Sequence, residues 1–276
     1  MFRQNLHAHS TYDDGKSTVR QMIDASIAAG LTSLGISVHS PVQDEPGCIL
    51  PEQIDAYLDE LHALRAEYAG RIEVFAGLEW DIMTVTDLSR FDYVIGSVHS
   101  MPPNGKPLYV NSTVEETLDL LVHHFHGDSD AMAELFFAQY DVIARQPFAQ
   151  IVGHFDLLTE YDEQREPLFH PSSPRYRKAA YSAMEKLVSA GKIFEINTGA
   201  ISRGYRVTPY PSRELLCVLR EMGGKITVGA DAHHVSAVTC GFDMAQALAK
   251  ECGFTHIYTL HRPNNGCEFA PQPIEE

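Results

Sequence analysis

A parallel α/β barrel, in the distorted seven-unit (β/α)7 TIM-like form, is the fold class this sequence predicts. Three observations lead there. Short apolar runs alternate with amphipathic helical patterns from end to end, and each of the seven runs is followed by helix. The chain has 276 residues, close to the ~250 of an ordinary barrel. No repeat, low-complexity stretch or linker interrupts it, so residues 1–276 read as a single domain.

The predicted strands are Phe2–Leu6, Leu34–Val38, Ile72–Leu78, Tyr93–Val98, Gln150–Gly153, Ile193–Ile196 and Ile226–Gly229. Each is short and mostly apolar, as a strand covered on both faces should be. The first helix, Val19–Ala29, ends at Gly30, a suitable C-terminal cap. Pro51–Tyr68 sets Ile54, Leu58, Leu61 and Leu64 on one face. Val114–Phe125, Asp130–Ala144, Pro174–Ala190, Pro211–Met222 and Met244–Cys252 read as further helices, and Thr255–Leu260 as one more strand. Met101–Ser112 and Phe155–Ser173 are rich in Pro, Gly and polar residues and read as loop insertions after strands.

Bulk properties narrow the function. The formal net charge is −16, which repels phosphate backbones, and no basic cluster offsets it, so no nucleic-acid partner is expected. No apolar run nears the ~20 residues of a membrane span, and Met1-Phe2-Arg3-Gln4 is not followed by a signal-peptide core. Cys48, Cys217, Cys240, Cys252 and Cys267 form no C-x-x-C pair; they read as reduced, buried thiols. A cytoplasmic location without a membrane partner is the expectation. The sequence leaves oligomeric state open.

The chemistry lies where the strands end. His7 and His9 follow the first, His39 the second, Glu79 the third, His99 the fourth, His154 the fifth, Asn197 the sixth, and Asp231 and His233 the seventh. Six of the fourteen histidines fall at these positions. In a parallel barrel all seven ends share the face that carries catalysis. Gathering six imidazoles and two carboxylates there without a cation would leave buried polar groups unpaired. The donors are nitrogen and oxygen with no thiolate, which suits Zn, Mn or Fe. They exceed one ion's needs, so two or three divalent ions are expected, the usual device for displacement at phosphorus.

The motifs "HAHSTYDDG" at 7–15, "SVH" ending at His39, "GLE" ending at Glu79, "GSVH" ending at His99, "GHFD" starting at His154 and "ADAH" ending at His233 occur in this order. With them the chain resembles the polymerase and histidinol phosphatase (PHP) family. "VIGSVHSMPPNGKPLYVNST", "EINTGAISRGYR" and "PYPSRELL" resemble its histidinol-phosphatase branch. The resemblance implies a distorted (β/α)7 barrel with a trinuclear metal centre. It also implies that His7, His9, Glu79 and Asp231 hold one ion, that Glu79 bridges to a second completed by His99 and His154, and that Asp14, His39 and His233 hold a third. Asp13 is the alternative to Asp14. Relatives in this branch often carry a basic residue just after "HFDL"; here the chain reads Leu158-Thr159-Glu160, with Arg165 or Arg175 as possible substitutes.

The implied activity is hydrolysis of a small phosphate monoester, histidinol phosphate foremost, by a hydroxide bridging two ions. Glu79, Asp231 and His233 are the expected catalytic residues. Arg203, Arg206 and Asn197 are the expected substrate contacts, the arginines as phosphate clamps. Asp156, Glu160 or Tyr109 could meet the cationic end of that substrate. The rivals are a phosphoesterase of other specificity, including a phosphodiesterase, and a metal-binding protein without catalysis. An amidohydrolase-type site would want a lysine at a strand end, and Lys106, Lys192 and Lys225 do not sit there. His123, His124 and His126 in "HHFHGD", with His62, His170, His256 and His261, read as structural. His234 is expected to point away from the site, and Trp80 and Asp81 to support it.

Overall fold

The computed structural model describes residues 2–42, 47–101, 108–110, 113–264 and 266–275. Chain order gives β1 (Gln4–Asn5), α1 (Val19–Ala28), β2 (Ser33–His39), α2 (Ile54–Glu67), β3 (Glu73–Asp81), β4 (Tyr93–Ser97), β5 (Ser100–Met101), β6 (Leu108–Tyr109) and α3 (Val114–Phe125). There follow α4 (Ser129–Ala138), α5 (Tyr140–Arg145), β7 (Ala149–Val152), α6 (Pro174–Ser189), β8 (Ile193–Asn197), α7 (Gly199–Ser202), α8 (Arg213–Glu221), β9 (Lys225–Gly229), α9 (Phe242–Glu251), β10 (His256–His261) and β11 (Glu268–Pro273).

The main sheet has seven parallel strands in the order β1-β2-β3-β4-β7-β8-β9. Its ends nearly meet. Ala8 and Ala232 form a parallel bridge, in which the His9 amide donates to the Ala232 carbonyl at 2.9 Å and the Ala232 amide to that of His7 at 3.2 Å. The result is a distorted, almost closed seven-stranded TIM-like barrel. Each of the seven sequence-predicted strands coincides with one of its staves, to within a residue or two at most ends.

Two apolar layers result from the alternation of side chains. Leu6, Phe75, Tyr93, Ile95 and Ile151 fill the lumen together with Leu260. The opposite faces of the strands meet Ile23, Leu58, Leu61, Leu187 and Leu216 of the surrounding helices in the larger core. Thr18 caps α1 with a reciprocal hydrogen-bond box to Gln21, the arrangement that satisfies orphan amides at a helix start.

Some elements depart from the sequence expectation. The predicted helix Asp130–Ala144 divides at Gln139 into α4 and α5, where Tyr140 turns inward and donates its hydroxyl to the Phe155 carbonyl at 2.7 Å. The helix expected from Pro211 begins at Arg213, because Ser212 is its N-cap in non-helical backbone (φ −53°, ψ 153°), its amide donating to the Asp156 carboxylate. Met101–Ser112 is not all loop, since β5 and β6 pair antiparallel; Lys106 lies outside the described residues. The strand expected at Thr255–Leu260 stays out of the barrel. As β10 it pairs antiparallel with β11 and plugs the end opposite the ligating residues, where Gln4 exchanges two hydrogen bonds with the Leu260 backbone.

The five cysteines are half-buried rather than buried, and the Cys217 and Cys252 sulfurs face each other at 2.6 Å. Among the described residues, no helix is long and apolar enough to cross a membrane.

Gly35 and Gly77 are required by the lumen. A Cβ at either would overlap the Tyr93 ring and hydroxyl, and that hydroxyl donates to the Leu6 carbonyl at 2.5 Å. We expect Gly35→Ala to cost about 1–3 kcal/mol by overpacking and to lower Tm by about 2–4 °C per kcal/mol. Tyr93→Phe removes the nearest of the atoms the new methyl strikes, so a double-mutant cycle read by thermal unfolding should be non-additive.

Candidate metal centre

The parallel register delivers the strand ends to one face. His39 pairs with Glu79 across β2 and β3, and His7, His99, His154 and Asp231 follow the ends of their own strands. Glu79 lies at the centre, 1 % exposed. Its Oε1 is 2.9 Å from His154 Nε2 and 3.3 Å from His99 Nε2, and it accepts the Ser97 hydroxyl at 2.7 Å. Its Oε2 is 3.0 Å from His39 Nδ1, 3.2 Å from His7 Nε2 and 3.6 Å from His9 Nε2. The two oxygens thus face two sets of imidazoles.

Asp231 completes the first set, with Oδ1 3.3 Å from His9 Nε2 and 3.8 Å from His7 Nε2. It adopts a left-handed backbone (φ 47°), a conformation unusual for a non-glycine residue and found where a site needs it. Gly199 makes room for it, since a Cβ there would lie 2.6 Å from the Asp231 side chain. Asp14 Oδ1 lies 3.1 Å from His233 Nε2 and 3.7 Å from His39 Nε2. Ligating atoms come within 4.8 Å of one another in three groups: His9–Asp14–His39–His233, His7–His9–Glu79 and His39–Glu79–His99.

A cation fits this set on the structure's own terms. His7 Nε2, His9 Nε2, Glu79 Oε2 and His154 Nδ1 are buried and make no hydrogen bond, a state that costs free energy unless another partner is supplied. Electrostatics agree. Burial opposes charge on His7, yet Glu195, Glu79 and Asp231 hold its proton affinity well above the imidazole range. His99 is pushed up to about 10, burial again opposing and Glu79 and Asp81 prevailing. Burial would raise Glu79 and Asp231. The surrounding histidines hold Glu79 well below the carboxylate range, and Arg203 with His7 does the same for Asp231. Asp14 falls to about 2 against its burial, through His233, His9 and His39. A divalent cation would replace protons in such a cluster.

The two adjacent aspartates, between which the sequence did not choose, differ in what each touches. Asp13 is buried and spent: it accepts the amides of Ser10 and His39 at 2.9 Å and faces His9 Nδ1 at 2.7 Å. Asp14 faces the cavity. Asp13 thereby orients His9, and two other acids behave alike. Glu195 Oε1 is 2.8 Å from His7 Nδ1, and Asp81 Oδ2 is 3.4 Å from His99 Nδ1. Carboxylates behind metal-facing histidines fix ring orientation and raise donor strength. Sequence reasoning missed Glu195; its signal was an acid inside the apolar strand "IFEIN". Trp80 supports the site from one step back, donating to the Thr84 carbonyl at 3.1 Å.

The ligating face opens into a cavity of about 350 Å³, walled in part by Leu157, Glu160, Tyr161, Arg203 and Tyr205. Arg203 reaches into it, 3.2 Å from Asp231 Oδ2 and 3.7 Å from Glu160 Oε1. Tyr109 lines an adjoining recess with His99 and Glu79.

Several expected contacts lie elsewhere. Arg206 lies outside the cavity lining: it is buried among Thr159, Thr208 and Glu163, its guanidinium 4.5 Å over the Tyr210 ring. Asn197 is also withdrawn. It is fully buried, donates to Glu195 Oε2 at 2.8 Å, and accepts the Gly199 amide. Asp156 accepts the Ser212 amide behind the cavity. Arg175 is tied to Asp128 and Glu134, and Arg165 turns to the Glu166 carbonyl, so neither replaces a basic residue after "HFDL". His234 points away and meets the Ser236 hydroxyl. His123 pairs with Asp119 on the surface.

A family model described as PHP domain matches residues 5–199. The chain is similar to the "Probable histidinol-phosphatase" of Schizosaccharomyces pombe, 25% identical over 282 residues that span 95% of this chain and 87% of that one. It is similar to the histidinol-phosphatase of Lactococcus lactis, 25% identical over 274 residues, 94% and 95% of the two chains. Among solved structures, that of histidinol phosphate phosphatase from Lactococcus lactis complexed with Zn, L-histidinol and phosphate superposes with a TM-score of 0.72 at 23% identity, covering 93% and 96%. That likeness supports the barrel.

Glu195→Gln should weaken metal binding about 10- to 100-fold with the far-UV circular dichroism unchanged. Titration of the metal-stripped protein with Zn²⁺ or Mn²⁺ measures it.

Proposed function

The chain belongs to the PHP domain family, and from that premise we propose that it hydrolyses a small phosphate monoester with divalent metal ions, histidinol phosphate being the substrate. The observation that carries this is the buried Glu79 carboxylate, whose two oxygens face separate sets of imidazoles beside a cavity that Arg203 enters. Relatives named as histidinol-phosphatases span nearly the whole chain and support the choice of ester.

We assign His7, His9, Glu79 and Asp231 to one cation and Glu79, His99 and His154 to a second. Asp14, His39 and His233 take a third. Donors of nitrogen and oxygen without thiolate suit Zn, Mn or Fe. When bound, such cations polarise phosphoryl oxygens and acidify water. The protein's own part is placement. Arg203, fixed by Asp231, presents a guanidinium fork to phosphate, and Tyr161 with Tyr205 walls the cavity from one side. Asp13, Asp81 and Glu195 hold three histidines in their working orientation.

The test combines metal analysis with phosphate release from histidinol phosphate, generic monoesters and diesters. Hydrolysis favouring histidinol phosphate supports the reading; equal rates on all monoesters defeat the substrate, and preference for diesters defeats the class. Stripping metal with a chelator should abolish release, and added divalent ion should restore it. Glu79→Gln should lose bound metal together with about a hundredfold or more of turnover. Arg203→Ala should raise KM, whereas Arg206→Ala should act on Tm, because it removes a buried guanidinium that donates to Thr159 and lies over the Tyr210 ring.

A further inference from the structure

Glu160 is a carboxylate that the metal cluster does not use. It belongs to none of the three groups of converging ligand atoms, yet it lines the same cavity. It is 3 % exposed, and its Oε2 has no hydrogen-bond partner. Its neighbouring cation, Arg203, stands 3.7 Å away and is closer to Asp231, at 3.2 Å. A carboxylate so buried is expensive unless a cation or several donors meet it. The Tyr161 hydroxyl also meets this carboxyl, but Arg203, shared between two acids, meets it only in part, and Oε2 keeps no donor. The carboxyl reflects this: burial raises it to about 7 despite Arg203. The site has a place for one more positive charge at Glu160, on the phosphate-clamp side of the cavity.

We propose that Glu160 is a specificity residue that receives the ammonium group of an aminoalkyl phosphate while Arg203 engages the phosphate. This rests on the phosphomonoesterase reading above and sharpens its substrate class: an ester whose alcohol carries a protonated amine near the phosphate. The Tyr161 and Tyr205 rings, 5.3 Å apart and edge-on beside Glu160, would flank the remainder of the alcohol. A substrate ammonium supplies the missing donor to Oε2. The same ester with hydroxyl in place of amine leaves that oxygen buried and unpaired, which is how a polar site rejects an analogue.

The experiment compares kcat/KM for histidinol phosphate and for its analogue with the amine replaced by hydroxyl, and likewise for phosphoethanolamine and ethylene glycol phosphate. It uses the metal-loaded full chain, as wild type, Glu160→Gln and Glu160→Lys. Wild type should favour each amine, chiefly through KM. Glu160→Gln should shrink that preference about 10- to 100-fold, the worth of a charge-assisted hydrogen bond, and Glu160→Lys should reverse it. If Glu160 only steadied Arg203, both members of each pair would suffer equally, and an unchanged ratio in Glu160→Gln with normal metal content overturns the proposal. An absence of amine preference in wild type overturns it too. Should wild type favour phosphoethanolamine over its hydroxyl partner but ignore histidinol phosphate, the histidinol assignment falls and the role of Glu160 stands.

Discussion

One carboxylate placed out of water constrains the whole upper face of this barrel. Glu79 lies near the end of the longest strand of the sheet and is enclosed by imidazoles at the ends of β1, β2, β4 and β7. A charge so buried is tolerated only with close partners, and those partners come from strands far apart in sequence. Their convergence therefore demands the parallel register. It also demands space. Gly229 lies where a side chain would overlap Glu195 and crowd His7, and Gly153 lies where one would strike the Ser97 hydroxyl that bonds Glu79. Small residues at these points let a layer of acids stand behind the layer of histidines. The site is thus two polar shells, the outer one aiming the inner.

The same demand explains how a two-residue first strand holds its place. Gln4–Asn5 is too short for a stable ladder alone. It is fastened at both ends instead. At the site, the backbone on either side of Ala8 bridges to Ala232, between His7 and His9 and next to Asp231. At the opposite end, Gln4 binds the β10 backbone through its side-chain amide. Asn5 adds a bond to the Val238 carbonyl. Closure of the barrel and assembly of the site are one structural event, because the residues that close the sheet flank the ligands.

Strand positions and the polar residues gathered at strand ends were legible because both follow from local pattern: apolar runs bounded by turns, and the first polar residue after each. What the pattern could not carry was direction of commitment. Asp13 and Asp14 are adjacent and chemically equal; only the turn at 11–14 sends one inward to His9 and the other to the cavity. Arg203 and Arg206 both follow β8, but three residues of chain carry the second back beneath Tyr210. Asn197 sits at a strand end like the ligands, yet its amide is consumed by Glu195. Glu195 was hidden because strand alternation marks which face a residue takes and not which neighbour it meets. The β10–β11 hairpin escaped as well: a polar strand such as Glu268–Pro273 acquires its structure from its partner, which periodicity does not record.

The balance of charge around the cavity separates binding from repulsion. Asp14, Glu79, Glu160 and Asp231 face it, against Arg203 and Lys16, on a chain of net charge −16. With its histidines neutral, as ligation requires, and protein charges alone, such a cavity would turn a phosphate dianion away. Cations held between the carboxylates and imidazoles would invert its sign locally, within reach of the strand ends. On a chain of this net charge, attraction for phosphate would then be concentrated at that cluster. The acidic composition that argues against nucleic acid thus serves the same end as the metal ligands: it confines anion attraction to the few ångströms where the cations and Arg203 face each other.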